Sequence, residues 1–169
     1  MNKIHDFRKD LADSKTEESH NLAEEMFKKY WHKNYKGYEI SSLKEDLSGI
    51  DYFVILKDQT KIGIDVKFRN KDYCIDKTPD ICIEDWSVIG SKEGWIADST
   101  KKTDYILFVC RDTKRSHCYD FKVLQRVYEE FGHRWAGSQQ IQRNKGYSSS
   151  CLIVPCKEIE ELMIGEIIK

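Results

Sequence analysis

The stretch "GIDYFVILKDQTKIGIDVKFRN", from Gly49 to Asn70, decides the fold of this chain because it holds two strand-forming runs separated by a polar turn. The runs "IDYFVILK" and "KIGIDVKFR" predict a β-hairpin. Asp51, Asp65 and Lys67 lie inside these apolar runs. Such charges are either solvated on an open face of the sheet or gathered for a chemical purpose. How the two strands pair decides between these alternatives.

Alternation along the second strand places Asp65 and Lys67 on the same face. A three-residue loop at residues 58–60 would put Asp51 opposite Lys67 and Phe53 opposite Asp65. Asp51 and Asp65 would then be diagonal neighbours with backbones about 7–8 Å apart, so both carboxylates could reach one cation. A two-residue loop would turn Asp51 to the other face, so the prediction requires a turn of odd length.

Two carboxylates and a lysine on one sheet face suit phosphodiester hydrolysis. The acids can hold Mg²⁺, which polarises a phosphate and activates water, and the lysine stabilises the developing negative charge. The alternative is a solvated face with a cross-strand Asp–Lys pair that contributes less than about 1 kcal/mol. The tripeptide acid-x-Lys by itself does not discriminate, because it occurs four times in the chain.

The remaining sequence predicts a mixed α/β layer fold. A helix is expected from a capping box at Ser14 and Glu17 to about His32, and a third strand at Asp80 to Glu84. Some helix is expected between residues 85 and 102. The segments that follow are, in order, the strands "DYILFVC" and "SHCYDF", the helix "FKVLQRVYEEF", the polar irregular stretch "HRWAGSQQIQRNKGYSSS", the strand "CLIVPC" and the helix "KEIEELM".

"GID" at 49–51 and "IDVK" at 64–67, after an acidic helix and before further strands, resemble the PD-(D/E)XK nuclease superfamily. The resemblance covers about residues 14–110, with 111–169 as a C-terminal extension of a single domain over 1–169. It implies a restriction-endonuclease-like fold, with an α-β-β-β-α-β core and a central mixed sheet flanked by helices. Ile50 stands where the superfamily's nominal proline precedes the first acid.

The resemblance also implies roles for individual residues. Asp51 and Asp65 would bind Mg²⁺, with Mn²⁺ able to substitute, and Lys67 would assist the attack. The backbone carbonyl of Val66 would complete the metal shell. Many members add a glutamate from the first helix, and Glu24 lies closer than Glu25 to the edge of the apolar stripe of that helix.

A second set of residues, Asp104, Asp120 and Lys122, has similar spacing between its acids. Asp120 is well explained as the N-cap of the following helix, and a long basic turn separates the two acids. The first set is therefore the favoured site.

The formal net charge is −1, but residues 101–145 carry ten basic and five acidic side chains. Five of these basic residues could contact a phosphate backbone: Lys101, Lys102, Arg111, Lys114 and Arg115. The expected partner is linear duplex or branched DNA, in phage or mobile-element DNA processing, restriction or junction resolution by analogy. A homodimer would follow for a duplex, since one site cuts one strand. The alternatives are a non-catalytic nuclease-like fold that binds nucleic acid or protein, and a purely structural α/β domain.

The first residues lack the apolar core of a secretory signal, and no apolar run approaches the roughly 20 residues of a membrane helix. A cytoplasmic location without membrane association is expected. The six cysteines show no C-x-x-C pair, so we expect small buried apolar residues rather than zinc ligands.

Overall fold

A computed structural model describes residues 15–74 and 77–168, of which the side chains are described to residue 165. In chain order the elements are α1 (Glu17–Trp31), β1 (Tyr35–Ile40), α2 (Leu43–Leu47), β2 (Tyr52–Leu56), β3 (Lys61–Arg69), β4 (Asp80–Val88), β5 (Lys92–Glu93), β6 (Tyr105–Cys110), β7 (Ser116–Asp120), α3 (Phe121–Phe131), a 3-10 helix (Gly132–Ser138), β8 (Gln139–Asn144), β9 (Tyr147–Pro155) and α4 (Cys156–Ile168). The fold is mixed α/β, as predicted.

The chain divides into two compact units, which we call the first unit and the second unit. The first unit holds residues 15–73 and 100–121, and the second holds residue 74 with residues 77–99 and 122–168. The boundary expected at residue 110 differs from this division, because residues 111–121 join the first unit and residues 77–99 the second. A single nuclease-like domain over 1–169 stays a prediction.

The first unit contains a five-stranded mixed sheet in the order β1-β2-β3-β6-β7. The first three strands are antiparallel neighbours, β6 runs parallel to β3, and β7 returns antiparallel to β6. Helix α1 covers the sheet with its buried residues, which pack against apolar side chains of β2, β3 and β6: Leu22, Ala23, Met26 and Phe27 against Tyr52, Val54, Ile64, Val66, Leu107 and Val109. This core fixes the strands that carry the predicted site.

The start of α1 differs from the prediction. Thr16 is the N-cap, and its hydroxyl accepts a hydrogen bond from the Ser19 amide at 3.3 Å. The expected cap, Ser14, lies outside the described residues. Thr16 is preferred because Glu17 and Glu18 then fall in the first helical turn, where acidic side chains interact favourably with the helix dipole.

The β2–β3 hairpin forms with a shifted register. Val54 pairs with Ile62 and Tyr52 with Ile64, and the Leu56 amide donates to the Thr60 carbonyl at 2.9 Å, which leaves a three-residue loop at 57–59. The predicted loop, one residue later, was wrong. Gln59 adopts a φ of 71°, as the last residue of a three-residue hairpin loop commonly does.

Because the observed loop also has an odd number of residues, the side chains of β2 and β3 stay on the sheet faces that the sequence predicted. Phe53 lies opposite Gly63 and not opposite Asp65. The pairing ends at Tyr52 and Ile64, and the Asp51 amide donates to the Ile64 carbonyl out of that register, so the predicted pairing of Asp51 with Lys67 does not form. The side chains of Asp51 and Asp65 nevertheless lie within hydrogen-bonding distance of each other.

One strand was missed, one predicted strand lies in a different sheet, and one predicted helix is wrong. Strand β1, Tyr35–Ile40, was missed, and it supplies the third antiparallel strand of the first unit. The predicted strand at Asp80–Glu84 is confirmed as part of Asp80–Val88, but it belongs to a second sheet, where it pairs with Tyr147–Pro155. Residues 85–102 contain the rest of β4, strand β5 and turns, with no helix. The turn between β4 and β5 contains Gly90, whose φ of +79° is one that glycine adopts without strain.

The second unit contains an antiparallel sheet in the order β5-β4-β9-β8. The predicted helix over Phe121–Phe131, the strand ending at Pro155 and the helix that follows are confirmed. The stretch expected to be irregular forms the 3-10 helix and the β8–β9 hairpin. Its polar composition reflects exposure rather than a lack of regular structure.

None of the described helices is long and apolar enough to cross a membrane. A cytoplasmic location stays a prediction. All six cysteines are free; Cys74, Cys151 and Cys156 are buried, and the other three are partly buried.

Candidate functional site

The predicted site lies where β2 stops short of β3. Strand β3 has nine residues and β2 has five, and their pairing ends at Tyr52 and Ile64. Asp51 adds one contact outside this register, because its amide donates to the Ile64 carbonyl at 2.8 Å. The remainder of β3, from Asp65 to Arg69, extends past the end of its shorter neighbour, which opens a notch in the sheet on that side.

Three side chains meet at this notch. The Val66 amide donates a 2.8 Å hydrogen bond to Oδ2 of Asp51. Asp51 and Asp65 share a side-chain hydrogen bond, and Nζ of Lys67 lies 2.8 Å from Oδ1 of Asp65. Asp65 is only 3% exposed, whereas the Lys67 side chain keeps 36% exposure. The structure therefore brings together the three residues that the sequence singled out.

Burial of the Asp51 carboxyl raises its pKa to about 7, and the negative charge of Asp65 adds to that effect. The positive charge of Lys67 and the Val66 amide oppose it without cancelling it. Near pH 7 the Asp51 carboxyl is consequently protonated in about half of the molecules. A cation that binds there must displace this proton.

The donor set fits a hard divalent cation. Carboxylate oxygens are the ligands that Mg²⁺ prefers, and Mg²⁺ commonly takes one or two of them while keeping several waters. The Val66 carbonyl points to the same side of β3 as its amide, towards Asp51, because both groups of a strand residue face one way. Among the described residues no three His, Cys, Asp or Glu side chains form a metal-binding group, so the protein side chains would supply the two aspartates alone.

Glu24 does not join this pair. Its carboxylate accepts a hydrogen bond from the Tyr35 hydroxyl at 2.9 Å and forms an ion pair with Lys28 at 2.9 Å. Tyr35 pairs with Leu56, at the turn end of the hairpin, whereas Asp51 lies at the opposite end of β2. The sequence predicted which face of α1 carries Glu24. The position of α1 along the sheet, however, puts Glu24 near the turn end of the hairpin, away from Asp51.

His20, one helical turn before Glu24, is the α1 residue that lies near Asp51. Both line a cavity of about 130 Å³, together with Lys15, Asp46 and Tyr52. The volume accommodates a few waters or a hydrated ion rather than a nucleotide. Sequence reasoning missed His20; its i, i+4 spacing from Glu24 was the available signal.

The walls of this cavity are held by polar contacts. Nδ1 of His20 lies 2.8 Å from the Tyr52 hydroxyl, and the rings meet edge to face. Burial raises the pKa of Tyr52, and the charge of Asp51 raises it further, so the phenol stays protonated. Lys15 donates to Oδ2 of Asp46 at 2.7 Å. The cavity thus presents a neutral phenol and an ion pair beside the Asp51 carboxyl.

Most of the predicted phosphate-contacting residues bind within the protein. Nζ of Lys114 lies 2.8 Å from Oε2 of Glu25, and Nε of Arg115 lies 3.2 Å from Oδ2 of the buried Asp72. Arg111 donates to the Ser19 hydroxyl at 2.9 Å and stacks on the Phe68 ring at 4.2 Å. Lys114 and Arg115 are paired with carboxylates and the Arg111 guanidinium is held by a hydroxyl and a ring, so each would have to give up internal contacts to bind phosphate.

Lys101 and Lys102 lie nearer the site, on the segment that precedes β6. The Lys102 amide donates to the Ser48 carbonyl at 2.9 Å, and the Lys101 side chain packs against Gly49, two residues before Asp51. Gly49 has a φ of +88°, and a side chain there would also collide with Lys101. These two lysines remain candidates for phosphate contact.

The alternative set has structural partners. Oδ2 of Asp104 accepts a hydrogen bond from the Gly63 amide at 2.7 Å, which ties the start of β6 to β3. Lys122 donates to the Gln125 side chain at 3.0 Å. Asp120 directly precedes α3, the position expected of a cap. Within the described residues these acids form no group of three that could hold a metal.

A larger depression of about 510 Å³ lies in the second unit, beside the β4–β5 hairpin. Trp86, Lys92, Glu93 and Asp98 line it, without a carboxylate pair of the Asp51–Asp65 kind. We therefore place the candidate site at the notch in the first unit.

Comparisons of this chain with protein-family models, with curated proteins and with solved structures gave no match. The class that the structure defines is a mixed α/β protein with a five-stranded mixed sheet. Its function must be inferred from the geometry of the site.

Proposed function

We propose that this protein is a Mg²⁺-dependent endonuclease that hydrolyses phosphodiester bonds in DNA. The observation that carries the proposal is the meeting of Asp51, Asp65 and Lys67 at the notch, where two neighbouring carboxyl groups share a hydrogen bond and a lysine lies 2.8 Å from one of them. A buried pair of like charges is unfavourable unless it serves a purpose, and cation binding is the simplest one.

Asp51 and Asp65 would hold the metal with the Val66 carbonyl. When bound, Mg²⁺ supplies a Lewis acid that polarises the scissile phosphate and lowers the pKa of a coordinated water. Asp51 must lose its proton first, so its raised pKa makes metal affinity increase with pH up to about 7. The Val66 amide keeps the Asp51 carboxylate oriented throughout.

Lys67 would stabilise the negative charge that develops on the phosphate. Its ammonium is anchored by Asp65 and its side chain is about one-third exposed, so it can contact both the carboxylate and a substrate. A charge of this kind acts chiefly in the transition state, where the phosphate is most negative.

The order of elements supports the finer fold prediction. Helix α1 is followed by three antiparallel strands, and the fourth strand, β6, runs parallel to β3. This arrangement is similar to the restriction-endonuclease-like core. The departure is the connection from β3 to β6, which passes through β4 and β5 where that core has a helix.

A second candidate function is a nuclease-like fold that binds nucleic acid without cutting. It is favoured by one observation: Oδ2 of Asp51 bonds to the Val66 amide, so the carboxylate has a structural explanation as the end of the β2–β3 ladder. On this alternative the chain would show no Mg²⁺-dependent activity.

A cleavage screen over linear, branched and single-stranded DNA, with and without Mg²⁺, tests the proposal. We expect Mg²⁺-dependent cleavage by the wild type and its loss in Asp65→Asn. Asp120→Asn is the matched control, since it changes the alternative set, and it should retain cleavage. Activity that survives in Asp65→Asn, or no cleavage of any substrate by the wild type, would contradict the proposal. A duplex cut on both strands would further indicate a homodimer.

A further inference from the structure

The segment that contains the β8–β9 hairpin has an unusual composition. Residues 131–157 include no aspartate or glutamate, although 29 acids in 169 residues would give about five in a run of this length. The same run contains Arg134, Arg143, Lys145 and Lys157. Positive charge without intervening acids favours a polyanionic partner.

The hairpin is exposed and its basic side chains are available. Strand β8 is the edge of its sheet, and five of its six residues are exposed. Within the part of the chain that the structure describes, neither Arg143 nor Lys145 forms an ion pair with a carboxylate. Lys114, by contrast, is neutralised by Glu25. Free cationic side chains gain most from phosphate contact because they give up no internal partner.

The neutral side chains of the hairpin suit the reading of bases. Gln140 and Gln142 are both exposed and share a face of β8 by alternation, with Ser149 directly opposite Gln142. A glutamine amide both donates and accepts, which matches the edge of adenine. The turn at Lys145–Gly146 is tight, since Asn144 pairs with Tyr147 and Gly146 has a φ of +88°. A narrow two-stranded ribbon of this kind fits the DNA major groove.

We propose that the β8–β9 hairpin is a ribbon that reads duplex DNA, with Arg143 and Lys145 on phosphates and Gln140 and Gln142 on base edges. It takes from the proposed function only that the partner is DNA, and it does not require a catalytic Asp51–Asp65 pair. A protein strand added to the β8 edge would use backbone groups and would gain little from an acid-free run of side chains.

Fluorescence anisotropy with a labelled random-sequence duplex, in EDTA so that no cleavage occurs, measures this binding. For Arg143→Ala/Lys145→Ala we expect about tenfold or greater loss of affinity and a salt dependence reduced by about two phosphate contacts. The matched control is Lys114→Ala, which should bind as the wild type does. All three side chains are exposed, and circular dichroism of each variant checks that it folds.

Gln140→Ala/Gln142→Ala should keep the salt dependence but lose the preference for sequences that the wild type enriches from a random duplex pool. Wild-type protein that does not bind duplex DNA, or an unchanged Arg143→Ala/Lys145→Ala variant, would overturn the inference. Equally tight binding to duplex RNA would overturn it too, because side chains cannot read the deep, narrow major groove of RNA. Asp65→Asn separates the two proposals, since it should abolish cleavage and leave this binding intact.

Discussion

The Asp51 carboxylate takes the place of a strand carbonyl: its Oδ2 atom lies 2.8 Å from the Val66 amide nitrogen, beyond the last backbone pair of β2 and β3. This hydrogen bond ends the ladder without leaving the amide unsatisfied, and it also holds the carboxylate beside Asp65. The Asp51–Val66 hydrogen bond therefore contributes both to the fold and to the candidate site.

Asp51→Asn should change how stability depends on pH in EDTA. Because the folded pKa of Asp51 is raised from 3.8 to about 7, its contribution is fully present below the unfolded value and is lost as pH rises through about 7. The asparagine keeps an oxygen for the Val66 amide but cannot ionise. The melting temperature of the variant relative to the wild type should therefore increase from about pH 5 to about pH 8.

Asp58→Asn is the control for this experiment. The Thr60 amide lowers the pKa of the exposed Asp58 carboxylate, so its linked change falls at lower pH. Its difference from the wild type should be flat over the same range. Parallel curves for Asp51→Asn and the wild type would show that the Asp51 carboxyl is not perturbed.

Titration calorimetry with Mn²⁺ tests the metal site directly. We expect Mn²⁺ binding by the wild type to release protons near neutral pH, because Asp51 must lose the proton that it holds in part of the molecules. Asp65→Ala should abolish the binding, and Asp120→Ala should not affect it. Equal Mn²⁺ binding by the wild type and Asp65→Ala would rule out the proposed ligands.

Lys67→Ala should slow cleavage by on the order of 10²-fold or more, because it removes a charge that acts mainly in the transition state. Lys61→Ala, on the same strand, is the matched control: Lys61 is exposed and its Nζ lies 2.6 Å from Oε2 of Glu39. Single-turnover rates at saturating Mg²⁺ give the comparison. A rate unchanged in Lys67→Ala would remove this residue from the mechanism.

Deletion of Gln59, which lies in the β2–β3 loop and is not a site residue, should disrupt the site. The deletion leaves a two-residue loop, which would slip the pairing of β2 by one residue and turn Asp51 away from Asp65. We expect loss of Mn²⁺ binding and a lower melting temperature. Insertion of two glycines after Asp58 keeps the odd loop length and should retain binding. If the deletion variant binds Mn²⁺ as the wild type does, the register does not control the site.

Much of the hairpin could be predicted because its signals are local. Alternation along β3 assigns Asp65 and Lys67 to one face regardless of the rest of the chain, and Phe121–Phe131 is a helix by its own periodicity. The exact register could not be predicted. Loops at 57–59 and 58–60 are both three residues long, and packing of Tyr52 and Ile64 under α1 selects the first.

Glu24 shows a second limit of the sequence. Helical periodicity predicted the face of α1 on which Glu24 lies. The position of the helix along the sheet depends instead on side-chain packing, here of Phe27 against Tyr38 and Tyr52. That packing puts His20 beside Asp51 and Glu24 beside Tyr35. Strand β1 was missed because the short run Tyr35–Ile40 carries charged and glycine residues and is stabilised by its neighbour β2.

The sequence by itself determined which side chains share each strand face, since side-chain alternation with a period of two is a property of the extended backbone. Only the tertiary structure decided that the Asp51 side chain meets that of Asp65, that β2 ends before β3, and that Asp80–Val88 joins a separate sheet. Strand pairing and strand ends depend on contacts between residues distant in the chain, and the free energy of those contacts is set by burial in the assembled core.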